Sequence, residues 1–191
     1  LSVFHNDDFF VSLFQDKTIF IYLIPIRFSY RDFFMEKVVI NSPLGFVLIE
    51  GNEEGISKIS VTSDETILSE TISDLFDDVV TQLNEYFQGN RTDFQFKMNP
   101  IGTDFQKKVW EELLKIPFGK TVSYQEVTNN LGDPKAIRAV ANANGKNPLW
   151  IVVPCHRVIG SDGSLTGYAG GLWRKKWLLD HENPVKQQCL F

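Results

Sequence analysis

The chain has 191 residues, 43% hydrophobic and 23% charged, which suffices for one large domain or two small ones around a packed core. Its formal net charge of −5 excludes a uniformly basic nucleic-acid binder, and the longest early apolar run, Ile19 to Ile26, is broken by Pro25 and followed by Arg27, short of the about 20 apolar residues of a membrane span. Two cysteines and three scattered histidines give neither a disulfide framework nor metal-ligand spacing.

The average charge hides a gradient. Residues 1–100 carry 7 Lys and Arg against 16 Asp and Glu, residues 101–132 carry four of each, and residues 133–191 carry 8 against 4. A basic C-terminal part on an acidic chain is compatible with a local phosphate-binding face, and equally with a lysine-rich solvated surface. Asp7 and Asp8 stand where a secretory signal has basic residues, and a chain with so few cysteines suits a reducing compartment; the expected location is the cytoplasm.

In chain order, residues 1–34 show neither strand nor helix periodicity, and Met35 directly precedes the first regular pattern; the expectation is an extension, or translation from upstream of the true start. Lys37–Ile40, Gly45–Ile49 and Ile56–Val61 are β-prone runs separated by Asn41-Ser42-Pro43 and by Gly51-Asn52-Glu53-Glu54-Gly55, the pattern of an antiparallel meander. A helix is predicted over Ser73–Phe87, its broad apolar face including Val79, Val80, Leu83 and Tyr86, stopped by Gly89. Residues 90–102 read as a linker. Thr103 and Gln106 form a capping box for a helix carrying Phe105, Val109, Trp110 and Leu113, ended by Pro117 and Gly119. Ser123 caps the next helix, through about Leu131; Gly132-Asp133-Pro134 makes a tight corner, and Lys135–Asn144 is helical. Two short helices across a glycine-containing turn fit a helix-turn-helix, although most helical hairpins bind nothing. Trp173 and Trp177, four apart, are expected to pack a C-terminal helix onto the core.

The stretch that carries chemistry runs from Asn147 to Gly160. Its apolar part, Leu149–Val153, leads into the core and delivers Pro154-Cys155-His156-Arg157 at its end. A thiol reacts as thiolate, and the adjacent His156 and Arg157 are expected to lower its pKa from about 8.5. Most cysteines are merely small buried hydrophobes; the flanking residues argue against that here.

The run Pro154-Cys155-His156-Arg157-Val158-Ile159-Gly160 resembles the active-site signature of the O6-alkylguanine-DNA alkyltransferases (methylated-DNA–protein-cysteine methyltransferases). The resemblance extends from about Met35 to Glu182 and includes Val122-Ser123-Tyr124-Gln125, Ala136-Ile137-Arg138-Ala139-Val140, Gly145-Lys146-Asn147-Pro148, Gly167-Tyr168-Ala169-Gly170-Gly171-Leu172 and Trp177-Leu178-Leu179-Asp180-His181-Glu182. It implies an α+β protein: a small antiparallel-sheet, ribonuclease-H-like α/β domain over residues 35–100, then a mostly helical, winged-helix-like domain over residues 101–185 and a tail at 186–191. It also implies stoichiometric, single-turnover repair, in which Cys155 accepts the alkyl group of O6-alkylguanine, and of O4-alkylthymine, and the protein is thereby inactivated.

By the same resemblance His156 acts through a water as the base for Cys155, and Glu182 orients His156 from the C-terminal helix. Asn147 bonds near the thiol and holds the turn of the helix-turn-helix together, while Arg157 braces the fold through an ion pair. Tyr124, Tyr168 and the Ala169 backbone face the flipped base. Arg138 fills the vacated place in the duplex, and Gln125, Asp133 and Ser161 match DNA-backbone positions, although an anion such as Asp133 repels phosphate and any contact there is through the main chain. The small residues Ala136, Ala139, Ala141 and Ala143 suit a minor-groove, sequence-independent reader of double-stranded DNA. A monomer is expected, with no cofactor, obligate protein partner or membrane. No cysteine precedes Cys155, so no structural zinc is expected, and Cys189 is given no role. Gly170 near the pocket suggests room for groups larger than methyl.

Taken singly, Arg138 reads as an exposed helix charge, the two tyrosines as half-buried aromatics and Glu182 as a surface ion pair. Two rivals follow: a non-catalytic DNA-binding or lesion-signalling module, for which Cys155→Ala keeps all function, and a thiol hydrolase that turns over on small esters. Against the second, a histidine adjacent in sequence to the thiol is poorly placed for a direct Cys–His pair.

Overall fold

The computed structural model describes residues 35–62 and 72–183; the opening extension, Cys189 and the tail lie outside them. Three strands, β1 (Glu36–Ser42), β2 (Gly45–Asn52) and β3 (Gly55–Thr62), form the antiparallel meander in the order β1-β2-β3. The strands bury Val38, Ile40, Val47, Ile49, Ile56 and Ile59, each under 9% exposed, with a register irregularity at Glu50/Gly51 near Ile56. Helix α1 (Asp77–Phe87), led in by a 3₁₀ turn at Asp74–Phe76, packs Phe76, Val79, Leu83 and Tyr86 into this core. Gly89, at φ +77°, closes it in a left-handed conformation that suits glycine.

Helix α2 (Asp104–Leu113) has the predicted capping box, with Thr103 Oγ1 accepting from Gln106 N and Gln106 Oε1 accepting from Thr103 N. Ser123 and Glu126 make a second one at α3 (Tyr124–Asn130). Such caps contribute about 0.5–2 kcal/mol each. Helix α4 (Ile137–Gly145) begins two residues later than the sequence suggests, because residues 133–136 close a tight turn instead, with Ala136 N donating to Asp133 O at 3.0 Å and the Asp133 carboxylate accepting the Lys135 N–H at 3.0 Å. The two-residue strand β4 (Val122–Ser123), directly before α3, pairs in parallel with β5 (Val158–Ile159), which precedes the final helix α5 (Leu172–Glu182). Among the described residues no helix is long and apolar enough to cross a membrane.

Two features place the site. The outer edge of β3 is not left open: Ile59 N donates to Pro148 O at 2.8 Å and Trp150 N donates to Ile59 O at 3.0 Å, so the segment leading to Cys155 is annealed to the sheet. One hydrophobic cluster then runs from the sheet through α1 and α2 to Leu149–Val153 and Leu178.

Helix α5 departs from its expected orientation. Its inner stripe is Lys175, Leu178 and Glu182, all 1% exposed or less, whereas Trp173 is 56% exposed and lies against the Arg174 guanidinium, 4.3 Å from ring centroid to Cζ. Only Trp177 of the pair is partly buried, stacked on His181 and beside Phe87. Two polar side chains take positions that hydrophobicity assigns to tryptophan, because both have partners in the interior.

Candidate active site

The run Leu149–Val153 enters the core as predicted, but as successive tight turns. Val152 N donates to Trp150 O at 2.8 Å across Ile151, which holds φ +69°. Cys155 N donates to Val153 O at 2.8 Å across Pro154 (φ −81°, ψ 58°). These are a γ-turn and an inverse γ-turn, the first unfavourable for a β-branched residue at about 1–3 kcal/mol. Burial of Ile151, at 1% exposure, and the bonds to β3 hold it there. The outcome is a sharply presented Cys155 at the head of a 3₁₀ turn, Cys155–Arg157.

Asn147 fixes this run. Its Oδ1 accepts from Leu149 N at 2.9 Å, and its Nδ2 donates to Val153 O at 2.8 Å and to Cys155 Sγ at 3.1 Å. The turn it holds is therefore the one after α4; none of these bonds reaches the α3–α4 corner expected from the resemblance. The thiol is 3% exposed. Burial pushes its pKa above the ordinary value, opposed by the Asn147 bond and the nearby Lys175 charge. The cation acting on the thiol is thus Lys175, while the Arg157 charge is paired with Glu182. Lys175 Nζ donates to Val158 O at 2.7 Å and to Thr166 O at 3.1 Å, fully buried.

The resting thiol is accordingly protonated at neutral pH. Modification of Cys155 by iodoacetamide should speed up about tenfold per pH unit between pH 7 and 9, read from the mass of the Cys155 peptide. A rate already flat from pH 6 to 8 would mean a preformed thiolate.

His156 is wholly buried, with Nε2 2.8 Å from Glu182 Oε1. Its pKa is lowered, by burial first, against the pull of Glu182. A neutral imidazole facing a carboxylate carries its proton on Nε2, which leaves the lone pair on Nδ1, a buried atom with no hydrogen-bond partner among the described residues. Glu182 is no surface ion pair. Its carboxylate also accepts from Arg157 Nε at 2.7 Å, Arg157 Nη2 at 3.0 Å, Tyr86 Oη at 2.8 Å and Gly119 N at 3.2 Å. Burial raises its pKa, but the bonds from His156 and Arg157 outweigh that and hold it well below the carboxylate range. Arg157 Nη1 continues to Ile116 O at 2.6 Å, the bracing role expected of it.

Tyr168 Oη is buried with no hydrogen-bond partner among the described residues, and burial, then the neighbouring thiol, holds its pKa well above the ordinary value. Tyr124, at the start of α3, is half-buried; Asn144 Nδ2 lies 3.4 Å from its hydroxyl and 3.5 Å from Cys155 O. Ala169 is exposed beside them. Gly170 lies against the Trp150 ring: a Cβ placed there would stand 1.9–2.0 Å from the indole, so this position requires glycine.

The four DNA-contact candidates lie at the surface and outside this cluster. Gln125 Nε2 reaches Asn129 Oδ1 at 2.9 Å and Pro134 O at 3.4 Å, which ties α3 to the corner holding Asp133. Arg138 is exposed in the first turn of α4. Ser161 is exposed too, and the parallel pairing Ser123↔Ile159 brings the chain after β5 out beside the start of α3. Sequence reasoning missed Tyr86, Asn144, Trp150 and Lys175. The 3, 4-spaced stripe Lys175, Leu178, Glu182 was the one signal for Lys175.

A family model described as the 6-O-methylguanine DNA methyltransferase DNA-binding domain matches residues 104–184, and that of the ribonuclease-like domain matches residues 35–100. A methylated-DNA–protein-cysteine methyltransferase of Methanosarcina barkeri is 45% identical over 149 residues, 75% of this chain and 94% of the relative. One from Mycobacterium tuberculosis is 44% identical over 147 residues, 75% and 89% of the two chains. The crystal structure of Mycobacterium tuberculosis OGT in complex with DNA superimposes with a TM-score of 0.70 at 43% identity, covering 77% of this chain and 92% of that one. With matching models over both halves and a relative this similar along nearly its whole length, the chain belongs to the O6-methylguanine-DNA methyltransferase family.

Proposed function

We propose that the protein repairs DNA by direct reversal, moving a methyl or other alkyl group from guanine O6, and from thymine O4, onto Cys155. The observation that carries this reading is a buried thiol held by Asn147, with His156 and Glu182 paired at 2.8 Å one residue further on. Cys155 Sγ attacks the alkyl carbon; the S–C bond forms as the C–O6 bond breaks, and the electron pair of that bond passes to the base. His156 Nδ1, through a water, takes the thiol proton. The Tyr168 hydroxyl, with the Ala169 main chain, faces the guanine oxygen and donates there, so the base leaves neutral. The net change exchanges the thiol hydrogen for the alkyl group. A thioether has no easy hydrolysis, so one molecule repairs one lesion.

A thiol this deep cannot meet a base inside a duplex, so the nucleotide is flipped. Helix α4 enters the minor groove without base readout, Arg138 takes the vacated place, Tyr124 crowds the flipped nucleotide, and Gln125, Asp133 and Ser161 meet the backbone. Residues 101–185 act as the transfer domain, in a monomer in the reducing cytoplasm, with no cofactor. Incubation with an oligonucleotide carrying one O6-methylguanine should add about 14 Da, once per molecule, on Cys155, read by intact mass and peptide mapping. No gain with the duplex still bound would leave a lesion sensor; repeated turnover on small esters would favour a thiol hydrolase.

A further inference from the structure

We infer that Asn144 reads the identity of the damaged base: its side-chain carbonyl accepts a hydrogen bond from the 2-amino group of the flipped, alkylated guanine. This rests on the reading that Cys155 is the acceptor and that the nucleotide is flipped toward it.

Asn144 lies in the last turn of α4, the helix whose first turn carries Arg138. It is 3% exposed and shares the inner face of the helix with Val140 and Ala143. The helix is anchored there, since Trp110 Nε1 donates to Ala143 O at 2.9 Å and Asn147 N donates to Asn144 O at 3.3 Å. The side-chain amide stands between two residues of the site: Nδ2 lies 3.4 Å from Tyr124 Oη and 3.5 Å from Cys155 O. Its Oδ1 is buried and has no hydrogen-bond partner among the described residues. The other two such atoms, His156 Nδ1 and Tyr168 Oη, belong to the same site, and the proposed transfer uses both. Leaving a buried carbonyl without a donor is costly, so Asn144 Oδ1 calls for a partner that arrives from outside the fold.

The chemistry of that partner follows from what the atom can do. A carbonyl oxygen only accepts, so the partner brings an N–H or O–H. An O6-alkylguanine has lost its N1 proton, which leaves the 2-amino group as the one donor on its pairing and minor-groove edges. An O4-alkylthymine has no donor on either edge. With O6 and its alkyl group directed at Sγ, the 2-amino group stands two positions round the same six-membered ring. Asn144 borders Cys155 itself and Tyr124, both of which face the flipped nucleotide, so its carbonyl is at hand for that group. A flipped base is read through such edge contacts, and a buried acceptor built for a donor discriminates against a base that lacks it.

The test uses single-stranded oligonucleotides carrying O6-methylguanine or O6-methylhypoxanthine. The two bases differ only in the 2-amino group, and neither has a base pair to open. Single-turnover rates of methyl transfer to the full chain are read from the mass gained on Cys155. The wild type should react about tenfold faster with O6-methylguanine, the effect of supplying a donor to a buried acceptor otherwise unpaired. In Asn144→Ala and Asn144→Leu this preference should fall to about twofold or less, whereas a merely structural fault slows both substrates alike. Any difference in leaving-group ability between the two bases is common to wild type and variants and drops out of their comparison. Asn144→Ser, polar but too short to reach, carries the same comparison if the other variants do not fold. A wild type that takes both bases equally fast, or a folded variant that keeps the wild-type preference, overturns the proposal. No methyl transfer to the wild type from either base, or from O6-methylguanine in a duplex, overturns the acceptor reading instead.

Discussion

Replacing Glu182 with Gln should destabilise the protein by about 3–5 kcal/mol, the cost of leaving a buried charge without its counter-ion, and should slow alkyl transfer about 100-fold or more through loss of the general base. The carboxylate accepts from His156, from two nitrogens of Arg157, from Tyr86 and from Gly119. Gln keeps the shape but replaces one acceptor oxygen with a donor, which must then face an N–H of Arg157 or His156. The His156 proton loses the partner that keeps it on Nε2, so the Nδ1 lone pair is no longer assured. Denaturant melts and single-turnover rates separate the two effects. A third readout comes from pH. Because the folded pKa of Glu182 is depressed, its contribution to stability is present above its unfolded value of about 4.3 and is lost as pH falls below it. That part of the acid decline should be missing in the variant. His156, whose folded pKa is also lowered, adds a decline beginning near its unfolded value of about 6.5, where only the unfolded chain takes up the proton. This second decline should persist. A variant as stable as wild type at pH 7 would mean that the Arg157–Glu182 pair contributes no more than its desolvation takes away.

The reach of sequence reasoning follows from which signals are local. The three strands of the meander, the Thr103 capping box, the Ser123 cap and the corner at Gly132 rest on residues close in sequence, and each appears where the pattern puts it; the second capping partner, Glu126, and the short pair β4 and β5 were not read. Cys155 and His156 were legible because they stand side by side at the end of one apolar run, and Asn147, within the same ten residues, through the resemblance. Glu182 was legible only through the resemblance, since no periodicity joins it to His156 across 26 residues. Tyr86 shows the limit: on the helix it is one more apolar-face aromatic, and its bond to Glu182 spans 96 residues. Lys175 and Trp173 were exchanged for the same reason, because hydropathy sees the indole and not the two carbonyls waiting for an ammonium. Gly170 illustrates another limit. A glycine signals missing side-chain volume, but whether the volume is empty depends on Trp150, twenty residues away.

The surface half of the mechanism can be separated from the buried half through Arg138. The side chain is exposed, so Arg138→Ala should leave stability within about 0.5 kcal/mol of wild type. If Arg138 occupies the stack during base flipping, the variant must meet the unstacking cost unaided, a few kcal/mol, and transfer from duplex DNA should fall by about 100-fold or more. A single strand has no paired stack to fill, so transfer from single-stranded O6-methylguanine should change far less. The comparison matters because a simple phosphate contact predicts something else: a uniform loss on both substrates, with the salt dependence of binding reduced by about one ion. Rates on the two substrates, taken beside binding isotherms at two salt concentrations, decide between them. Equal losses on duplex and single strand would assign Arg138 to the backbone and leave the opening of the duplex to Tyr124 and the close approach of α4.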